Sequence, residues 1–164
     1  GKVLQVVQTH DTTGRSQSLS ATTVTNISGL SATITPSATS SKVFIQIRWN
    51  GESSNTADYW DQLFGIKRGT TEVGSSPSTG DSRRAGLSII SGGGYVVGAN
   101  ETSTPDMVNY EYLDSPSTTS ATTYYATVLP NGACTFVTNR CGTDNNNNYV
   151  ERMTSTITLW EIGA

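Results

Sequence analysis

The segment Lys42–Trp49, KVFIQIRW, alternates apolar and polar side chains with a period of two. Val43, Ile45, Ile47 and Trp49 fall on one side, and Lys42, Gln46 and Arg48 fall on the other with Phe44. Successive strand side chains point to opposite faces, so this pattern buries one face of a pleated strand and leaves the other wet. No stretch of the chain carries a 3.6-residue helical repeat. Strands are predicted near 2–8, 21–27, 30–35, 42–49, 62–68, 86–91, 107–113, 123–129, 134–138 and 154–162. Gly, Asn, Pro and Ser clusters separate them. Ser28–Leu30 reads as a tight break between two strands, and Pro36–Ser41 as a corner before the 42–49 strand. The longest irregular spans are about 50–60, 74–85, 92–105 and 142–150, and the first of them, with Ala57–Trp60, is expected to hold a helical turn. Short strands at this spacing predict an all-β sandwich or barrel of antiparallel strands, not a βαβ fold. A length of 164 residues is consistent with one domain over 1–164.

Serine and threonine together make up 47 of the 164 residues, 21 and 26 respectively, a bias that also occurs in disordered chains. Disordered chains carry high net charge and few aromatics. This one has a net charge of −3 and 13 aromatic residues spread along it. Its Thr, Val, Ile and Tyr content suits pleated, half-buried surfaces. The polar middle of Tyr112–Gly132, YLDSPSTTSATTYYATVLPNG, is flanked by two Tyr/Val/Thr-rich strands, so it reads as a connection within the fold and not as a linker.

The acidic balance argues against a nucleic-acid partner, which needs clustered cations. The only basic clusters are the pairs Lys67-Arg68 and Arg83-Arg84. No apolar run is long enough for a membrane helix, and Gly86–Ala99 is interrupted by glycines, so no membrane insertion is expected. Gly1–Val7 lacks the features of a secretory leader.

Catalytic chemistry finds little support. The single histidine, His10, lies beside Asp11 in a polar stretch expected to be a connection, and sequence neighbours seldom form a Ser-His-Asp geometry. Asp58 and Asp61 are the closest approach to a glycosidase pair, which is defined by separation in space. Asp144–Tyr149, DNNNNY, places Asp144, Asn146 and Asn148 at alternate positions as in a calcium loop. Tyr149 and Ser155 then stand where that loop needs Gly and Glu. Ser91–Gly98 lacks phosphate-loop spacing, and the triplets at 26–28 and 100–102 are glycosylation matches of the kind that arise by chance. Cys134 and Cys141 are expected as two free thiols, with a disulfide as the alternative; one histidine and no CxxC leave no zinc set. No catalytic residue, cofactor or metal site is assigned.

Two groups of residues remain as candidates for recognition. Tyr59 and Trp60, at a loop edge, suit stacking on a sugar face, or else Trp60 plugs one end of the core. Tyr95 and Asn146, in Gly-rich and Asn-rich loops, complete the surface-recognition set. Strands 107–113 and 123–129 are apolar on both faces, which calls for long loops or a subunit interface over one of them. Val108, Tyr110, Tyr112 and Tyr124 are the candidate interface residues.

Five segments in order carry a family resemblance: GKVLQVVQ at 1–8, ITPSATSSKVFIQI at 34–47, FGIKRGTTEVG at 64–74, YLDSPSTTSATTYYATV at 112–128 and STITLWEIGA at 155–164. Together they resemble small virion proteins of tailed bacteriophages of the marine and cyanophage type, described as tail-fibre-like or structural. Phe136–Asn147 also resembles a family stretch of Asn-Arg followed by a polar loop; the cysteines there look like local variation. The resemblance implies a jelly-roll-like β-sandwich and a homotrimer located in the virion, assembled in the host cytoplasm. The partners it implies are other capsid or tail proteins and, for a fibre, a host cell-surface glycan. It transfers no catalytic residue and leaves tail fibre and capsid decoration open, as it does a stand-alone chain or a domain of a longer fibre. The competing readings are a carbohydrate-binding β-sandwich module and a capsule-degrading enzyme.

Overall fold

The computed structural model describes residues 1–53, 62–75, 83–90, 103 and 105–164. These contain no helix and form eleven strands: β1 (Val3–Asp11), β2 (Arg15–Leu19), β3 (Thr25–Ile34), β4 (Lys42–Ser53), β5 (Leu63–Arg68), β6 (Thr71–Val73), β7 (Ser88–Ile89), β8 (Asp106–Asp114), β9 (Thr122–Leu129), β10 (Cys134–Thr138) and β11 (Ser155–Ile162). All pairings are antiparallel, and the strands divide into two packed sheets.

Several strands lie end to end and share one line of a sheet. In the first sheet, one edge of β4 pairs with β11 along Lys42–Arg48 and with β10 along Gly51–Ser53. The opposite edge of β4 pairs with β8. β1 lies outside β11, and β2 lies outside β10. The sheet is thus β1/β2, β11/β10, β4, β8. The second sheet is β3, β9, β5 and then β7 and β6, which share the free edge of β5. Followed along the chain, the pairs are nested: the first line meets the last, the second the next-to-last, and so inward. A long antiparallel hairpin rolled up in this way is the double-sheet jelly roll.

The alternation in β4 has the expected result. Val43, Ile45, Ile47 and Trp49 are at most 2% exposed. Trp49 stacks on Phe136 with ring centroids 4.7 Å apart and meets Phe64 at 5.0 Å, so the two sheets are joined by an aromatic centre. Its indole N–H donates to Thr138 Oγ1 at 3.0 Å, which satisfies the one polar atom of a fully buried ring.

Four expectations change. β1 continues through His10 and Asp11, so this stretch is strand and not a connection. β2 was not foreseen, because RSQSL sends only Leu19 deep into the core. Ser28–Leu30 is a bulge within the single strand β3, where the register on β9 shifts between Asn26 and Ser31. Gly29 sits there at φ +86°, and a Cβ on it would come within 2.6 Å of Asp11 Oδ2. Residues 50–53 extend β4, and the rest of the expected helical turn lies outside the described residues.

The proposed interface residues also require correction. Val108, Tyr110 and Tyr124 are 3%, 7% and 0% exposed, inside the sandwich of a single chain. Tyr112 is half-buried against the same core, with its ring beside Gly74. The Tyr124 hydroxyl donates to Asp114 Oδ2 at 2.7 Å, and Asp114 also accepts from Arg68, so this tyrosine ties β8 to β5 and β9 across the two sheets. Val108, Tyr110 and Tyr124 are thus enclosed within one chain, and Tyr112 shares the β8 face of the first two with part of its surface still accessible.

Candidate interaction surfaces

Strand register places the outward side chains of the first sheet in rows that run across the strands. Leu113, Phe44, Trp160 and Val6 are mutual cross-strand neighbours and form one apolar row over all four lines. Leu113 is 45% and Val6 49% exposed, and Val3 and Leu4 extend the apolar surface at the β1 end. The next row is Glu111, Gln46, Thr158 and Gln8, and the one after it Asn109, Arg48, Thr156 and His10. The Trp160 indole N–H donates to Gln46 Oε1 at 2.9 Å, which fixes the ring over the sheet. Gln8 Nε2 donates to Thr158 Oγ1 at 2.8 Å. The polar rows line a shallow depression of about 550 Å³ that includes Arg48, Asn109 and Glu111.

A second surface lies at the end of the sandwich where β10 passes into β11. Asn139, buried and at φ +62°, joins four strand ends there. Its Nδ2 donates to Asp11 O at 2.9 Å, Asp11 Oδ2 at 3.0 Å and Thr13 O at 3.1 Å, and its Oδ1 accepts from Ser155 Oγ at 2.6 Å. Asp11 also takes two bonds of 3.0 Å from the Arg15 guanidinium. That pairing raises the Arg15 pKa above its already high ordinary value.

Beyond Asn139 the chain leaves as a stemmed loop. Arg140 and Arg152 form an isolated antiparallel bridge. One step further, Glu151 N donates to Cys141 Sγ at 3.3 Å, and the thiol reaches Glu151 Oε2 at 3.3 Å. Gly142 N donates to the buried Glu52 carboxylate. Burial, with the carboxylates of Glu151 and Glu52 nearby, pushes the Cys141 thiol up to about 11. At the loop's head, Asp144 is held between Arg152, at 2.5 and 2.9 Å, and Arg140, at 3.3 Å. This arrangement counts against calcium, because the one carboxylate of the motif is already neutralised by two guanidinium groups. No group of three or more His, Cys, Asp or Glu able to hold a metal occurs among the described residues.

Asn146, a candidate from the sequence, is exposed at the crown of this loop, and Tyr149 beside it is 51% exposed. Tyr59, Trp60 and Tyr95 lie outside the described residues, as do Asp58 and Asp61. His10 is exposed on the outer face of β1, while Asp11 turns inward to Arg15 and Asn139, so the two do not cooperate. Cys134 and Cys141 are both free thiols. The row Leu113-Phe44-Trp160-Val6 was missed as a surface. Its one visible signal was Phe44, the apolar residue on the otherwise polar side of KVFIQIRW. No helix among the described residues is long and apolar enough to cross a membrane. No protein-family model matches the chain, and no match was found among curated proteins.

Proposed function

We propose that the chain is a non-enzymatic structural component of a bacteriophage particle, tail-fibre-like or on the capsid surface, and that it works as a homotrimer. The observation that carries this reading is the apolar row on the outer face of the first sheet. A contiguous apolar strip on an otherwise Ser/Thr-faced domain is a site of association. Cyclic symmetry lets one such face be used by every copy. Arg48 and Glu111, both on this face, give it charges of both signs. The jelly-roll topology and the five ordered segments of sequence support a virion role, with other capsid or tail proteins as partners. The threefold state comes from the family resemblance, and the row supplies a place for the contact.

Sedimentation velocity at micromolar concentration tests the assembly. The expected species has three times the 17.4 kDa mass of one chain. The double change Val6→Glu and Leu113→Glu is expected to give a folded monomer. A wild-type chain that stays monomeric would overturn the assembly. Locating the chain in an electron-microscopy map of the particle separates fibre from capsid decoration, and its absence from the particle would overturn the virion reading.

A further inference from the structure

We infer that the loop 143–150 is a binding site for a neutral saccharide, with Asn145, Asn146 and Tyr149 as its contact residues. The loop is built to hold a shape. Its stem is closed by the Arg140–Arg152 bridge, by Cys141 on Glu151 and by Gly142 on Glu52. Its head is closed by Asp144 between two arginines and by a turn in which Val150 N donates to Asn147 O at 3.2 Å. A loop ordered before binding loses less freedom when a ligand arrives.

The polar groups on its crown are not used to hold it. Among the described residues, the side chains of Asn145, Asn146 and Asn148 make no hydrogen bond, and all three residues are exposed. Each carboxamide offers two donors and one acceptor oxygen. Asn147 instead donates to the Tyr149 hydroxyl at 3.0 Å, which steadies the tyrosine with its ring still half in solvent. The crown borders a depression of about 350 Å³ lined by Asp144, Asn145, Asn146, Asn147, Val150 and Arg152. Small-molecule sites begin at roughly 300 Å³, so this one is sized for one or two sugar units.

The chemistry of the lining selects the ligand. An apolar ligand would meet Val150 and otherwise polar groups. A metal ion would meet a carboxylate already neutralised by two guanidinium groups. A strongly anionic ligand would compete with Asp144 for those same arginines. A sugar hydroxyl both donates and accepts, as the lining carboxamides of Asn145 and Asn146 do. Tyr149 stands outside the lining but is bonded to Asn147 and adjoins Val150, which are both in it, and its exposed ring offers a face on which the C–H side of a pyranose can pack. The residues differ from those of the proposed assembly face, so the two readings fail separately.

The test uses the full chain on a printed array of neutral oligosaccharides of glucose, galactose, mannose, rhamnose and N-acetylglucosamine, with uronate-containing oligosaccharides alongside. Saturation-transfer NMR then measures each hit. At least one neutral oligosaccharide is expected to bind. Asn146→Ala and Tyr149→Ala should each weaken it by about tenfold, the size of one lost polar or stacking contact, with the melting temperature unchanged. Val6→Glu with Leu113→Glu should leave single-site binding intact. The proposal is overturned if no oligosaccharide binds, if only uronates bind, or if binding persists in both loop variants.

Discussion

Asn139 offers a direct test of how the end of the sandwich is held together. Replacing it with Gly keeps the left-handed backbone at φ +62° comfortable and removes every side-chain bond. The bond at 3.0 Å to the Asp11 carboxylate is charge-assisted and contributes roughly 1.5–3 kcal/mol, and the bond from Ser155 adds about 1 kcal/mol. Asp11 keeps Arg15, so the loss stops short of an unpaired buried charge. Asn139→Gly is therefore expected to cost about 3 kcal/mol. Asn139→Ala loses the same bonds and also forces a Cβ into the left-handed region, adding about 1 kcal/mol. The order Asn, Gly, Ala runs opposite to the usual cost of glycine in a folded chain, which makes it diagnostic. With a urea slope of about 2 kcal/mol/M, the midpoints should fall by roughly 1.5 M and 2 M. Tryptophan fluorescence, to which the buried Trp49 contributes together with Trp60 and Trp160, follows the transition, at one fixed protein concentration because assembly shifts apparent stability. If Ala is as stable as Gly, or if both variants lie within about 0.5 kcal/mol of wild type, the account of this junction is wrong.

Two further outcomes follow from buried ionisable groups. Glu161 accepts from Ser37 N and Ser37 Oγ, both at 2.6 Å, and from Ser41 Oγ at 2.8 Å, and these bonds hold its carboxyl below the ordinary value. A depressed folded pKa gives stability that is present above the unfolded value, about 4.3, and lost as pH falls through the folded one; the advantage of wild type over Glu161→Gln, read from urea midpoints, should therefore be full at pH 7 and shrink below about pH 4. With its thiol pushed up to about 11, Cys141 should resist Ellman's reagent at pH 8 in the folded protein while half-exposed Cys134 reacts, and both should react in denaturant.

What the sequence made legible followed the strength of the alternation. In β4, Val43 to Trp49 present one parity of large apolar residues, and that parity set the core face without ambiguity. In β8, MVNYEYL puts apolar residues on both parities, so alternation alone could not say which face is interior. Register decides it: Val108, Tyr110 and Tyr112 lie opposite Trp49, Ile47 and Ile45 and share their face. Met107 and Leu113 are left outside, 55% and 45% exposed. The surplus of apolar side chains on β8 therefore faces outward through Met107 and Leu113, and not through Val108 and Tyr110. β2 escaped notice because its place comes from pairing with β10 and from Gln17, whose side chain bonds the backbone of the β3 bulge at Asn26 and Ser28. The ordering of the 143–150 loop was equally hidden, since it depends on Arg140 and Arg152 facing each other across a stem, a proximity created by the end-to-end placement of β10 and β11.

That placement also relates the proposed assembly face to the proposed saccharide loop. The loop returns to the sheet at Arg152, and β11 begins at Ser155, the residue whose hydroxyl is held by Asn139. From there Thr156 and Thr158 run along the outer face to Trp160, which belongs to the apolar row. One strand end therefore sets the position of both surfaces, and the bonds that fix it are buried. In a trimer joined through that face, each loop would be carried at a defined angle to its neighbours. Three weak sugar contacts on a rigid frame gain strength from simultaneous engagement without any improvement in the single site. Loosening the frame at Asn139 should then reduce binding to a glycan-coated surface more than binding to a free oligosaccharide, because the first needs three loops in register and the second needs one.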